Sequence, residues 1–202
     1  FFGVVSMGGW GEINLKDFLL KYLQALQNIS GEEFPINEST IISGDYLDCL
    51  PHNIIETEKE SFKFFDREWK ARVKIDSGFL VFRAIINLTN STSRFIKPQD
   101  YFFENTLLGF IKFSFMCLNW KISEKKLNEY IILEYKIQKV VSPINLKDDE
   151  YNNIFNMQNF AERFNQSPQK LLNTIQECDN TIQECDNTIQ ERDNTIQERD
   201  LE

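Results

Sequence analysis

A chain of 202 residues with 42% hydrophobic residues, 18 Phe and 3 Trp is long and apolar enough to bury one core, which excludes a disordered protein. Its net charge of −9 is uneven: from Ser167 onward nine acidic residues stand against Lys170, Arg192 and Arg199, so that tail carries −6 and the remainder −3. Neither part has the basic stripe that non-specific nucleic-acid binding requires, which sets nucleic acid aside as a main partner.

In chain order, Phe1–Val5 is an apolar run that predicts a buried strand, closed by the breaker cluster Gly8-Gly9-Trp10-Gly11. That cluster lacks the Gly-Lys-Ser/Thr ending of a phosphate loop and reads as a turn. A first helix is expected from about Asn14, an acceptable N-cap, with Leu15, Phe18, Leu19, Tyr22, Leu23 and Leu26 on one face. The polar stretch Asn28–Thr40 is a loop, and Ile41–Leu47 resumes buried structure. Two short strands follow, around Asn53–Glu56 and Phe62–Phe65, joined by the polar hairpin Thr57–Glu60.

From Gly78 the pattern turns helical through Phe79, Leu80, Phe82, Ile85 and Ile86, ending in the polar run Asn87–Ser93. A third helix is expected over Phe103–Leu118. Its apolar part, Leu107–Leu118, is too short and, with Lys112, too charged to span a bilayer, so it reads as a buried helix. A fourth helix begins after Ser123, a partial cap, and carries Leu127, Tyr130, Ile131, Leu133 and Glu134 to about Val140 before Pro143. The expected fold class is therefore α+β, mainly helical, with one small β-hairpin over residues 1–145.

Residues 146–166 read as a linker, and residues 167–202 as a heptad-repeat helix. Asn173–Asp179 and Asn180–Asp186 repeat Asn-Thr-Ile-Gln-Glu-Cys-Asp; Asn187–Asp193 and Asn194–Asp200 repeat the same unit with Arg for Cys. Placing Ile175, Ile182, Ile189 and Ile196 at position a puts Leu171, Cys178, Cys185, Arg192 and Arg199 at d, a seam that weakens toward the C-terminus. Ser167 and Pro168 supply an N-cap and a first-turn proline. The repeat units hold no opposite charges three or four apart, so the helix leans on a partner: self-association as a dimer or trimer is expected. The competing reading is a frayed acidic tail.

The four cysteines lack metal spacing and fit a reducing compartment, hence the cytoplasm. His52 is the only histidine, which removes Ser-His-Asp chemistry. No initiator Met precedes Phe1, which suggests an N-terminally incomplete product.

The most informative segment is Gly44-Asp-Tyr-Leu-Asp-Cys-Leu-Pro-His-Asn-Ile-Ile, followed by Phe62-Lys-Phe-Phe-Asp-Arg-Glu-Trp. Asp48 precedes Asn53 by five positions, and Asp66 closes the second strand. This pattern resembles the catalytic loop and metal-binding strand of the protein-kinase-like fold, including aminoglycoside and choline kinases. The resemblance implies a kinase-like C-terminal lobe with Asp48 as catalytic base, Asn53 and Asp66 as Mg²⁺ ligands, and ATP as phosphate donor, because a hydroxyl proton needs an acceptor and the phosphate-bridging metal needs oxygen ligands. Pro51 also matches.

Two departures stand out. Tyr46 replaces the usual His two residues before the catalytic Asp, and Arg67-Glu68-Trp69 replaces Phe-Gly after Asp66. The Gly-rich loop and strand Lys of the nucleotide lobe are absent from residues 1–40. The structural alternative is that Asp48, Asn53 and Asp66 are ordinary turn residues, as Asp45 is read to be. Trp69 is open to stacking on a ligand or, more commonly, to core packing.

A kinase-like lobe ending in Phe-Asp-x-Glu-Trp with a trailing coiled coil also resembles the C-terminal part of bacterial methyltransferase–kinase proteins of O-antigen or surface-polysaccharide assembly. That resemblance implies a glycan substrate, a location in the cytoplasm at the inner face of the membrane, and a coiled-coil spacer that helps set glycan chain length. S-adenosylmethionine would enter only through an upstream domain, since no methyltransferase motif lies in this chain. The alternative class is a non-catalytic oligomerising scaffold.

Overall fold

The computed structural model describes residues 5, 9–32, 35–58, 61–66, 68–91, 103–141 and 148–156. The chain divides into two units, Phe1–Phe164 and Asn165–Glu202, and every described residue belongs to the first. The heptad segment 167–202 therefore lies outside the described residues, as do residues 157–166.

Helix α1 spans Glu12–Ser30 and buries Leu15, Leu19, Tyr22, Leu23 and Leu26, the stripe expected from the 3.6-residue period. Its N-cap lies three residues earlier than expected. Asn14 is not the N-cap but sits in the first turn, where its Oδ1 accepts the Gly11 N–H at 3.0 Å, and Gly11 takes the cap position. At the other end Gly31 adopts φ 74° and returns its N–H to the Gln27 carbonyl, a left-handed stop that glycine enters without a Cβ clash. Val5, expected in a strand, is helical and fully buried.

Strand β1 (Ile41–Ile42) pairs antiparallel with β4 (Ile75–Asp76), a two-residue contact not anticipated from the sequence. Strands β2 (Ile54–Glu58) and β3 (Ser61–Phe64) form the expected hairpin, with Ile54 opposite Phe64 and an irregularity between Glu56 and Glu58. Thr57 and Glu58 belong to the strand rather than the turn, so β2 runs two residues further than the polar run suggested. Phe62 and Phe64 turn inward while Ser61 and Lys63 face solvent, the two-residue alternation of a half-buried strand.

Helix α2 (Ser77–Asn90) is capped by Asp76, whose Oδ1 accepts the Phe79 N–H at 2.8 Å. It is buried on nearly every side through Phe79, Leu80, Val81, Phe82, Ala84, Ile85 and Ile86, as a helix apolar all round must be. It packs against α3 (Leu107–Cys117) and α4 (Glu124–Val141). Thr106 caps α3 through the Gly109 N–H, and Ser123 accepts the Lys126 N–H at the start of α4, the partial cap read from its spacing. Tyr130 of α4 donates to Asp76 at 2.6 Å, tying that helix to the first turn of α2.

Residues 148–156, inside the segment read as linker, form a further helix, α5 (Asp148–Asn156), that contacts α3 and α4. Phe155 is 2% exposed and stacks on Phe82 with ring centroids 5.9 Å apart, so this helix is part of the core. The architecture is α+β and dominated by helix. No helix among the described residues is long and apolar enough to cross a membrane.

Candidate functional site

The segment Ser43–Asn53 is two 3-10 turns joined by a buried loop. Ser43 caps the first turn (Gly44–Tyr46) by accepting the Asp45 N–H at 3.3 Å, and its hydroxyl donates to Asp45 Oδ2 at 3.1 Å. Asp45 is thus an exposed turn residue, as its place beside Gly44 suggested. Pro51 opens the second turn (Pro51–Asn53), where its fixed φ and missing N–H cost nothing, and that turn runs directly into β2.

Between the turns, Leu47, Asp48, Cys49 and Leu50 are all buried, so their carbonyls must find donors. Three consecutive carbonyls receive side chains from three places in the fold. Arg83 Nη1 of α2 donates to the Leu47 carbonyl. Asn53 Nδ2 donates to the Asp48 carbonyl at 3.0 Å, which also takes the Leu50 N–H at 2.7 Å. The Tyr22 hydroxyl of α1 donates to the Cys49 carbonyl at 2.9 Å, and burial pushes that phenol's pKa well above its ordinary value.

Asp48 and Asn53 therefore meet, Asn53 being 4% exposed and bonded to the Asp48 main chain. The hairpin brings in the third residue. The Phe65 N–H donates to the Asn53 carbonyl at 3.1 Å, extending the β2–β3 ladder and setting half-buried Asp66 beside the Pro51–Asn53 turn. Asp66 acts electrostatically on both Asp48 and His52.

Neither the Asp48 carboxyl, the Asn53 amide oxygen nor the Asp66 carboxyl has a hydrogen-bond donor or cation within bonding distance among the described residues. No buried polar side-chain atom there is left without a partner, so the oxygens of Asp48 and Asn53 reach solvent although the residues are buried. Burial raises the Asp48 pKa to about 6; Arg83 opposes the shift, while Asp66, Glu68 and Glu134 add to it. His52 has an exposed side chain at the turn, the blander of its readings, and desolvation lowers its pKa with Asp66 pulling the other way. Trp69 is half-buried against the core.

Among the described residues no group of three His, Cys, Asp or Glu converges on a metal position. The oxygens that remain, a carboxylate at Asp66 and an amide at Asn53, are hard donors of the kind that suits Mg²⁺, which retains water and phosphate for its other positions. Two protein oxygens would leave most of a divalent cation's positions to water or a bound anion.

Arg83 and Glu134 were missed by sequence reasoning. Arg83 Nε meets Glu134 Oε2 at 2.7 Å with both residues about 95% buried or more. The signal was present in the sequence: a lone Arg inside the apolar run Phe79–Ile86, and a lone Glu at a core-facing position of α4. Each charge at such a place asks for a partner of opposite sign.

No protein-family model matches the chain, and neither a curated protein nor a solved structure is found to match it.

Proposed function

We propose that Asp48, Asn53 and Asp66 form the phosphotransfer half-site of a kinase-like lobe, working in a bacterial methyltransferase-linked protein of surface-polysaccharide assembly with residues 167–202 as its self-associating spacer. The observation that supports this most is that Asp48 and Asn53 share one buried loop beside Asp66, with side-chain oxygens that reach solvent while the Leu47, Asp48 and Cys49 carbonyls of the loop are each bonded by a side chain. Ser43 spends its hydroxyl on Asp45 and Asn53 spends its amide nitrogen on the Asp48 carbonyl, as turn residues do, whereas the Asp48 carboxyl and the Asn53 amide oxygen are not taken up by the loop.

In this reading an acceptor sugar hydroxyl attacks the terminal phosphorus of ATP. The new O–P bond forms as the bond to the ADP oxygen breaks, and the hydroxyl proton passes to the Asp48 carboxylate. A carboxyl with a pKa of about 6 is mostly ionised at neutral pH and still basic enough to accept that proton. Mg²⁺, when bound, neutralises phosphate charge; Asn53 and Asp66 would hold it.

Mn²⁺ in place of Mg²⁺ gives a direct readout. Adding the full chain to Mn²⁺·ATP should raise water-proton relaxation enhancement, and Asp66→Asn should weaken that binding by at least about tenfold, the loss of one charged ligand. No enhancement with the wild-type chain would remove the phosphotransfer reading. The near-identical heptad units would then favour the non-catalytic oligomerising scaffold.

A further inference from the structure

Buried ion pairs are a poor way to stabilise a core, because desolvation offsets most of their attraction and apolar replacements of similar volume are often no worse. The Arg83–Glu134 pair is therefore informative for where it stands. Among the buried residues of α2 only Arg83 is charged, and its guanidinium divides its donors between two targets. Nε faces Glu134 Oε2 at 2.7 Å, and Nη1 reaches the Leu47 carbonyl, one peptide before Asp48. Glu134 is itself held: its second oxygen accepts from Gln138 Nε2 at 2.8 Å, one turn further along α4.

We infer that Arg83 is a positioning residue for the candidate site: carried on Glu134, it holds the Leu47 carbonyl and so fixes the loop on which Asp48 and Asn53 stand. The inference deepens the phosphotransfer reading and rests on it for its functional meaning, but its geometric content stands on this loop alone. The fork shape of the guanidinium matters, since one planar group must serve α4 and the loop at once. Glu134 balances the charge so that the fork can be buried. Tyr22 at the Cys49 carbonyl secures the peptide two further on, so the loop is held by α1 as well as by the Arg83–Glu134 pair of α2 and α4.

A purely structural ion pair and a positioning pair differ in what an apolar replacement does. The double variant Arg83→Met/Glu134→Leu removes both charges together and leaves no charge stranded, so the chain should stay folded, with a melting temperature lowered only by what the unpaired Leu47 carbonyl costs. The Asn53 side-chain amide, bonded to the Asp48 carbonyl, gives the readout by NMR in the full chain. In the double variant its proton resonances should move and its exchange with water should accelerate at least tenfold. Arg83→Lys in otherwise wild-type protein, keeping the charge without the fork, should fall between the two. Mn²⁺·ATP binding, measured on the same samples, should fall at least tenfold in the double variant.

An unchanged Asn53 amide in a folded double variant would overturn the positioning role. Normal Mn²⁺·ATP binding with a displaced amide would overturn its link to the site. Failure of the wild-type chain to bind Mn²⁺·ATP would overturn the phosphotransfer reading instead, and the amide result would still decide whether Arg83 positions the loop. Should the double variant not fold, Arg83→Lys carries the same amide test.

Discussion

Asp48 is ionisable, 7% exposed and without a partner for its carboxyl among the described residues, and that combination has a consequence for stability. An aspartate ordinarily titrates near 3.8, whereas burial raises this one to about 6 in the folded chain. Below the lower value both folded and unfolded chains carry a neutral Asp48, and pH has no leverage through it. As pH rises toward the higher value the unfolded chain releases its proton more readily, so folding loses free energy, and above about 6 the loss is complete. A shift of this size is worth about 3 kcal/mol as an upper bound, and less here because the carboxyl oxygens reach solvent, which screens the effect. Asp48→Asn keeps the shape and removes the titration. In metal-free buffer the variant should therefore match wild type below pH 4 and exceed it by up to about 3 kcal/mol at pH 8, read from urea unfolding curves at each pH. A difference that does not change with pH would mean that the carboxyl titrates normally.

At the level of elements, the site depends on a chain crossing that places Gly44 beneath the segment leading into β4. Ala71 donates its N–H to the Gly44 carbonyl at 2.9 Å, and a Cβ on Gly44 would run into the carbonyl oxygens of Ala71 and Val73. Backbone on the far side cannot rotate away as a flexible side chain can. Gly44→Ala should cost about 2 kcal/mol or more by overpacking, whereas Gly31→Asn, at a solvent-facing left-handed helix end, should cost less than about 1 kcal/mol. Thermal denaturation of the two variants side by side checks the contrast.

Elements with a strong period were legible in the sequence for the same reason that they form. The stripe of α1, the apolar body of α2 and the alternation of Phe62 and Phe64 each state which face is buried. What stayed hidden depends on partners distant in sequence. The β1–β4 pair spans only two residues on each side, too few to show alternation. Helix α5 has a polar sequence around Tyr151 and Phe155, so its burial is decided by Phe82 and Tyr135 on other helices. In the candidate site, the spacing of Asp48, Asn53 and Asp66 was visible, and the hairpin that joins them follows from alternation. The grip of Arg83 and Tyr22 on the loop was not, because a backbone carbonyl leaves no mark in a sequence.

For the whole molecule, the open question is what a packed unit of −3 gains from an acidic tail of −6. In the spacer reading, four tandem heptads with one strongly apolar residue each and no charge pairs spanning the repeat units would depend on packing, the main source of helix stability in proteins. If the tail is a spacer, its stability comes from the Ile seam and therefore from concentration. Replacing Ile182 and Ile189 together by Asp puts two like charges per chain into that seam. Sedimentation equilibrium should then show a monomer where the spacer reading expects a dimer or trimer of wild type, while the Trp fluorescence unfolding curve of the packed unit stays where it was. The opposite change sharpens the test. In the spacer reading Arg192 and Arg199 fall at d positions, where a seam calls for Leu, so Arg192→Leu/Arg199→Leu should tighten association at least tenfold with no change in stoichiometry. A wild-type chain that sediments as a monomer at all concentrations, with neither pair of substitutions altering it, would reduce the repeat to an acidic extension and take the spacer role with it.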